Sequence, residues 1–304
     1  MIRIGIDLGG SKIEGIALDR AGAVLWRERV ASARDDYPGT LDAIAMVVER
    51  IETELGCKGT VGVGTPGSPS PLDGRMRNCN STWLNGTQLA QDLAVRLRRE
   101  VRIANDADCF TLSEATDGAA AAAASVFGVI LGTGVGGGIC VDGRLLAGSN
   151  AIAGEWGHNR FAGPRGRLAA TRACYCGRSD CIETWLSGPG LLRSYRELAT
   201  SGGDAGSAAH VVALAESGDS TARAALDLYI EQLAFALAQV INLLDPHAIV
   251  CGGGLSNIER LYAEIPLRWT RYVFSDAVRT PLLRARFGDS SGVRGAAWLF
   301  PLLP

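Results

Sequence analysis

Residues 2–18 read IRIGIDLGGSKIEGIAL, and residues 126–141 read VFGVILGTGVGGGICV. Each is an apolar, strand-forming run that a glycine-rich turn breaks once before it resumes. In the first, Ile2–Asp7 reaches a Gly-Gly-Ser turn and Ile13–Leu18 returns. After Asp19-Arg20-Ala21-Gly22, a third strand, Val24–Val30, alternates polar and apolar residues. In the second, Val126–Leu131 meets a glycine loop over Gly132–Gly138, Ile139–Val141 returns, and Asp142-Gly143 makes a hairpin turn before Arg144-Leu145-Leu146. Strand, glycine loop, strand, turn, strand thus occurs twice, starting near residues 2 and 126. Solenoid repeats recur every 20–50 residues or so, so this wider spacing predicts two related domains.

Outward from these runs, apolar residues at Leu41, Ile44, Ala45, Val48 and Ile51 predict a helix from about Gly39 to Leu55. Val61–Gly64 reads as a buried strand entering the turn Thr65-Pro66-Gly67. Gln88–Arg99 reads as a helix, and Val101–Ala104 as a strand ending at Asn105-Asp106. A long helix is expected at Ala222–Leu244, a strand at Ala248–Cys251 before Gly252-Gly253-Gly254, and a last helix at Ser291–Phe300. No Pro- or Ser-rich linker separates the halves, so the boundary near residues 110–120 is expected to be helical.

The 304 residues are 47 % hydrophobic and 20 % charged, enough apolar mass for sizeable cores. Thirty basic against 32 acidic residues argues against a nucleic-acid surface. Eight cysteines are too few for a disulfide scaffold, and the chain opens directly on a strand without a leader's basic and apolar regions. A cytoplasmic, thiol-reducing location is therefore expected. Residues 118–141 carry no charge, yet their seven glycines make a poor membrane helix. They read instead as a helix end (Ala119–Ala124), a buried strand and a glycine loop. Only Lys12 and Lys58 are lysines, which makes a lysine beside a glycine turn informative.

Three motifs carry chemistry. Asp7-Leu8-Gly9-Gly10-Ser11-Lys12 ends a strand in a turn whose N–H groups can face an anion, although an ordinary hairpin fits it equally. Gly132-Thr133-Gly134-Val135-Gly136-Gly137-Gly138 contains G-x-G-x-x-G, but Ile139-Cys140-Val141 after it reads as a strand, so no helix N-terminus is present for a dinucleotide. The two loops together suggest two hairpins gripping one polyphosphate. Third, Cys174, Cys176 and Cys181 with His158 place three thiols and an imidazole within residues 158–181. That set suits a closed tetrahedral zinc site of structural kind, the alternative being unliganded thiols. Asp106, Glu155 and Glu183 stand at expected loop positions. Taken singly each reads as a solvated acid; Glu155 and Glu183 flank the thiol set, which suits holding sugar hydroxyls.

These motifs resemble those of the ROK family of sugar kinases. Asp7–Lys12, the run Ile130–His158 with G-E-W-G-H, and C-x-C-G-x-x-x-C-x-E carry the resemblance, which extends over essentially the whole chain. Asn80-Ser81-Thr82-Trp83-Leu84-Asn85-Gly86 and Gly288–Trp298 are similar to the bacterial fructokinase (manno-fructokinase) branch. The resemblance implies an α/β, two-domain, actin/hexokinase-like (ribonuclease H-like) fold with an interdomain cleft that closes during the reaction. It places residues 1–115 and a C-terminal helix at about 290–304 in one domain, and 116–289 with the zinc loop in the other. It implies phosphoryl transfer from MgATP to a hexose, D-fructose first and mannose next, with glucokinase and N-acetylglucosamine kinase as alternatives. Asp106 is the implied catalytic base. Gly67, Asn80, Asn105, Glu155, His158 and Glu183 are implied sugar contacts, and His158, Cys174, Cys176 and Cys181 zinc ligands. ATP is expected at Asp7, Gly9, Gly10, Ser11, Lys12, Gly132, Thr133, Gly134, Gly136, Gly137, Gly252, Gly253 and Gly254, with Asp7 on Mg²⁺ through water. A homodimer is expected, with no nucleic-acid or membrane partner. Sugar-sensing repressors of the family carry a helix-turn-helix domain ahead of the kinase-like part; with a phosphate loop at residue 7, the repressor alternative is not expected here. This sequence departs from the family pattern in two places. Ser11 stands where a threonine is usual, keeping the hydroxyl. Asp180 stands where a glycine usually precedes the third zinc cysteine; should that position need positive φ, aspartate tolerates it better than most residues.

Overall fold

A computed structural model of the protein describes residues 2–199 and 204–301. Strands β1 (Ile2–Leu8), β2 (Lys12–Leu18) and β3 (Val24–Ala31) form an antiparallel meander. β1 and β2 are apolar on both faces and almost wholly buried, whereas the edge strand β3 alternates between exposed and half-buried residues. Helix α1 (Tyr37–Leu55) begins at Asp36, whose carboxylate accepts the Gly39 N–H, and stops at Gly56 in the left-handed region. Its Ile44, Val47, Val48 and Ile51 are buried in one core with Ile4, Ile6 and Ile13 of β1 and β2. β4 (Gly59–Thr65), a short hairpin of β5 (Ser68–Pro69) and β6 (Met76–Arg77), α2 (Leu89–Leu97), β7 (Val101–Asn105) and α3 (Asp106–Thr116) come next. The first sheet has the order β3-β2-β1-β4-β7, with β4 parallel to β1 and β7 parallel to β4.

Two local readings are corrected here. Asp106 is no loop residue: it opens α3, because Asn105 caps that helix at Ala107. The expected helix end at Ala119–Ala124 is a set of turns. Despite six alanines, the chain leaves α3 at Asp117, where the buried Glu114 carboxylate takes the Ala119 N–H at 2.8 Å.

The second sheet repeats the plan. β8 (Ser125–Leu131), β9 (Val135–Val141) and β10 (Arg144–Leu145) precede α4 (Glu183–Leu186), α5 (Gly188–Leu198), α6 (Ala208–Ser217), α7 (Ser220–Leu244), β11 (Ala248–Gly252), α8 (Arg260–Arg268) and β12 (Leu282–Arg284). Its order is β10-β9-β8-β11-β12, with β11 parallel to β8 and β12 parallel to β11. Asp142 and Gly143 between β9 and β10 have φ of 49° and 72°, the hairpin geometry their sequence predicts. The glycine loop is shorter than expected. Only residues 132–134 turn, and β9 takes up Val135-Gly136-Gly137-Gly138. Helix α7 is long and apolar enough to cross a membrane by composition, but Tyr229, Ile230, Leu233 and Leu237 are buried in the protein.

The chain returns in α9 (Ser291–Trp298). The backbone forms two compact units, one of residues 2–122, 138–153 and 286–301, the other of 123–137, 154–199 and 204–285. Residues 302–304, the end of the expected last helix, lie outside the described residues. Within the first unit α9 packs on α3, β1 and β4. A Cβ at Gly295 would stand 1.6 Å from the Cys109 carbonyl oxygen, so this helix pair approaches only through glycine. Glu114 of α3 accepts the Ser291 hydroxyl at 2.7 Å and the Arg286 N–H at 3.0 Å, and Asp117 pairs with Arg294.

Candidate active site

In the first unit, Asp7, Thr65 and Asn105 mark the carboxyl ends of three adjacent parallel strands, β1, β4 and β7. Open α/β sheets bind ligands at that edge. The Gly9–Lys12 turn is tied there by Gly9 N–H to the Lys12 carbonyl (3.0 Å), the Ser32 hydroxyl to the Gly9 carbonyl (2.7 Å) and Ser32 N–H to the Ser11 carbonyl (3.1 Å). Ser11 and Lys12 are exposed, Gly10 likewise. Burial first, and then the nearby Asp106 and Glu14 charges, push the Asp7 carboxyl up to about 6. Glu14 itself is buried opposite Asp7 on β2 and is held by Arg27 (2.5 Å) and Arg29 (2.7 Å).

Asp106 is exposed on the first turn of α3. Asn105 spends its side-chain oxygen on the Ala107 N–H at 2.8 Å, and its carboxamide nitrogen makes no hydrogen bond among the described residues. Gly67 is explained by packing: a Cβ would stand 2.4 Å from the Arg77 carbonyl and 2.6 Å from Cys79 Sγ. Asn80 is exposed, and the peptide before it is gripped by Asn85, which accepts the Cys79 N–H (2.9 Å) and donates to the Cys79 carbonyl (3.1 Å). Asn85 was legible in sequence only as part of a motif, without a role.

In the second unit, the Gly132–Gly134 turn ends β8, and Gly252–Gly254 ends the adjacent parallel strand β11, with Ile130 opposite Gly252. Thr133 is exposed at the turn. This turn is held from far along the chain. Val135 N–H donates to Glu183 Oε2 at 3.0 Å, Gly188 N–H to the Gly132 carbonyl at 2.8 Å, and the Trp156 indole to the Gly136 carbonyl at 3.0 Å. Glu183 opens α4 and is no loop residue; its carboxylate lies where a Cβ on Gly134 would come within 2.6 Å. Glu155 is exposed just before the short 3₁₀ turn Trp156–His158, which Trp156 anchors edge-on against Phe127.

His158, Cys174, Cys176 and Cys181 come together, their ligand atoms all within 4.8 Å of one another. His158 Nδ1 lies 3.6 Å from Cys174 Sγ, and Cys176 Sγ lies 3.6 Å from Cys181 Sγ. Zinc–sulfur bonds of about 2.3 Å at tetrahedral angles would set sulfurs about 3.7 Å apart, so the donor set fits that ion. Burial raises the Cys181 thiol to about 12, while Cys176, against the effect of burial, falls to about 6 because Arg178 and the neighbouring thiols donate to it. Tyr175, between two of these thiols, places its phenol oxygen 3.0 Å from His158 Nε2. Its phenol is pushed up to about 12 by burial, then by the charges of Glu183, Cys174 and Glu155.

Two residues hold this loop: Asp180, whose positive φ the sequence anticipates, and Arg172, which sequence reading passed over. Asp180 has φ 57°, the strained backbone that a glycine would suit. Its buried carboxylate accepts the Arg172 N–H at 3.0 Å and pairs with Arg165 at 3.0 Å, and these outweigh burial to keep it below the usual carboxylate range. The Arg172 guanidinium is wholly buried, stacked 3.7 Å from the Trp185 ring centre, and donates to Thr184, Gly190, Ser194 and Glu197. Nothing in its local sequence sets it apart from the other arginines.

The sequence model of the ROK family matches residues 3–302. N-acetyl-D-glucosamine kinases of Photobacterium profundum (40 % identical over 299 residues, 97 % of this chain and 98 % of the relative) and Escherichia coli (39 % over 301 residues, with the same shares) are similar to it throughout. The crystal structure of a ROK hexokinase from Thermus thermophilus superposes with a TM-score of 0.86 at 28 % identity, covering 98 % of this chain and 97 % of that one. A ROK family glucokinase from Streptomyces griseus in complex with glucose and AMPPNP gives 0.74 at 28 % identity, covering 98 % and 99 %. The names of the sequence relatives favour N-acetylglucosamine kinases over the fructokinase branch that residues 80–86 suggested. Motifs, a sheet plan built twice and these full-length likenesses agree: the chain belongs to the ROK family of sugar kinases.

Proposed function

We propose that the protein transfers the γ-phosphoryl group of ATP to a primary hydroxyl of a hexose. The observation that carries this reading is the placement of Asp7 near the carboxyl end of β1, beside the Gly9–Lys12 turn, and of Asp106 at the start of α3 directly after β7 at the same edge of the first sheet. In the reaction the sugar oxygen bonds to the γ-phosphorus, the bond from that phosphorus to the ADP oxygen breaks, and the hydroxyl proton passes to Asp106. A carboxylate is a weak base for an alcohol, but in a loose transition state the proton moves late, so orientation dominates. Mg²⁺ bound with the nucleotide supplies charge neutralisation, and Asp7 is the residue here suited to hold it through water.

The assigned roles come from the family motifs. Gly9, Gly10, Ser11 and Lys12, and Gly132, Thr133, Gly134, Gly136 and Gly137, take phosphates, with Gly252–Gly254 by the adenosine. Gly67, Asn80, Asn105, Glu155, His158 and Glu183 hold the sugar, Gly67 through its backbone, which lies against Cys79 beside Asn80. Zinc on His158, Cys174, Cys176 and Cys181 orders the loop that leads into Glu183 at the start of α4.

The relatives' names make N-acetylglucosamine the first hexose to test. Fructose stays as the second reading because Asn80–Gly86, with its Asn85 grip on Cys79, matches the fructokinase branch. A coupled ADP-release assay over N-acetylglucosamine, fructose, mannose and glucose decides between them. The highest kcat/KM is expected with N-acetylglucosamine. A preference for fructose moves the protein to the other branch, and no turnover with any hexose rejects the reading.

A further inference from the structure

Helix α4 spans only Glu183–Leu186, yet both of its ends grip the second glycine turn. At its start Glu183 Oε2 accepts the Val135 N–H at 3.0 Å, and just past its end the Gly188 N–H donates to the Gly132 carbonyl at 2.8 Å. The turn adds one bond of its own, from the Gly132 N–H to the Gly134 carbonyl at 3.0 Å. A Cβ at Gly134 would stand 2.6 Å from Glu183 Oε2, so the carboxylate fills the space that a side chain there would need. Gly134 lies outside the left-handed region, which makes that carboxylate, and not the backbone, the reason for glycine. The short helix is itself anchored, because the buried Arg172 guanidinium donates to the Thr184 carbonyl at 2.9 Å and stacks on Trp185. The half-buried Glu183 side chain is the adjustable part of the grip, and among the described residues its second oxygen, Oε1, makes no hydrogen bond.

We propose that Glu183 couples the two substrates: Oε2 positions the Gly132–Gly134 turn for the nucleotide phosphates, while Oε1 accepts one hydroxyl of the hexose. A hexose on Oε1 holds the carboxylate in the orientation that keeps Oε2 on Val135, so the turn is set before the nucleotide arrives. Such coupling is reciprocal, each ligand tightening the other by the same factor. The inference deepens the hexose-kinase reading and rests on it, since that reading supplies the sugar at Glu183 and the phosphates at the turn.

Binding of a nonhydrolysable ATP analogue, measured with and without the preferred hexose, reads the coupling. Wild type should bind the analogue about fivefold or more tightly with the sugar present. Glu183→Ala removes the acceptor from Val135, and a hydrogen bond to a carboxylate is worth about tenfold or more, so the analogue's Kd without sugar should rise about tenfold. Glu183→Gln still offers Val135 an oxygen and should keep that Kd within about threefold of wild type. Gly134→Ala approaches from the other side. Its methyl displaces the carboxylate, so hexose Kd without nucleotide should rise about fivefold, and the same change made in Glu183→Ala should add nothing. An analogue Kd indifferent to Glu183→Ala, equal losses in the Ala and Gln variants, no coupling in wild type, or a Gly134→Ala effect that persists without Glu183 each overturns the proposal. Should Glu183→Ala fail to fold by thermal melt, Glu183→Gln and Gly134→Ala decide it: hexose affinity unchanged in Gly134→Ala, or a tenfold loss of analogue in Glu183→Gln, overturns it. Wild type that phosphorylates no hexose overturns both this and the reading beneath it, whereas an active wild type with any of those outcomes overturns the coupling alone.

Discussion

The two glycine turns occupy the same place in two sheets of the same plan, but they are fastened differently. The Gly9–Lys12 turn is tied from within its own meander: Ser32, just past the adjacent strand β3, donates to the Gly9 and Ser11 carbonyls. The Gly132–Gly134 turn is held from outside its own meander. Glu183, Gly188 and Trp156, some 20–56 residues away in sequence, hold Val135, Gly132 and Gly136. The acids are divided just as unevenly. Asp7, Glu14 and Asp106 cluster by the first turn, where burial and mutual repulsion raise Asp7 to about 6. By the second, Glu183 is fixed two residues after Cys181 of the group that could hold a metal. A duplicated scaffold can thus place reactive charge on one copy and, on the other, a turn whose shape depends on a distant loop.

If the chemistry resides on the first copy, Asp106→Asn should lower kcat by about 10²–10⁴, the usual range for general-base help, with little change in sugar KM. The amide keeps the shape but cannot take the proton. Steady-state kinetics within about tenfold of wild type would remove Asp106 from the reaction and dissolve the division of labour.

Next in size is the second copy's dependence on the proposed zinc. Cys176→Ser should cut zinc from one per chain to near zero, raise sugar KM tenfold or more and lower Tm by several degrees, as losing a structural ion does. Elemental analysis, sugar titration and a thermal melt of the purified variant measure all three. Metal-free wild type with full activity would break the comparison at this point, since the second turn would then need no ordered loop.

The smallest effect is on stability, and its sign is opposite. Asp7 has a folded pKa of about 6, above the ordinary 3.8, so the native state binds the proton more tightly than the unfolded chain. Wild type therefore loses stability as pH rises from about 4 to about 6 and does not regain it above. Asp7→Asn has no charge to bury. At pH 8, without nucleotide or Mg²⁺, it should be more stable than wild type by up to about 3 kcal/mol, with the gap closing towards pH 4. Melts of both proteins from pH 5 to 8 with the same slope would show that Asp7 carries no such penalty.

What the sequence determined by itself is the part of the protein that depends on near neighbours. The period-2 and all-apolar runs, the Asp142-Gly143 turn and the doubled strand–turn–strand order all place their partners within a few residues. The cysteine spacing behaves the same way, since ligands at 174, 176 and 181 can reach one ion from a single loop. Even there the reading slipped by a turn: Asn105-Asp106 is both a strand end and a helix cap, and only the packed α3 shows which applies. The tertiary structure alone decided that β9 absorbs three glycines of the second loop, that one Glu183 oxygen belongs to Val135, that buried Arg172 holds the metal loop to α5, and that Tyr175 meets His158. The reason is physical. A hydrogen bond between residues 17, 22 or 48 apart leaves no periodicity in the chain, and a polar side chain shows no sign in sequence of whether it faces water or the one partner that makes its burial tolerable.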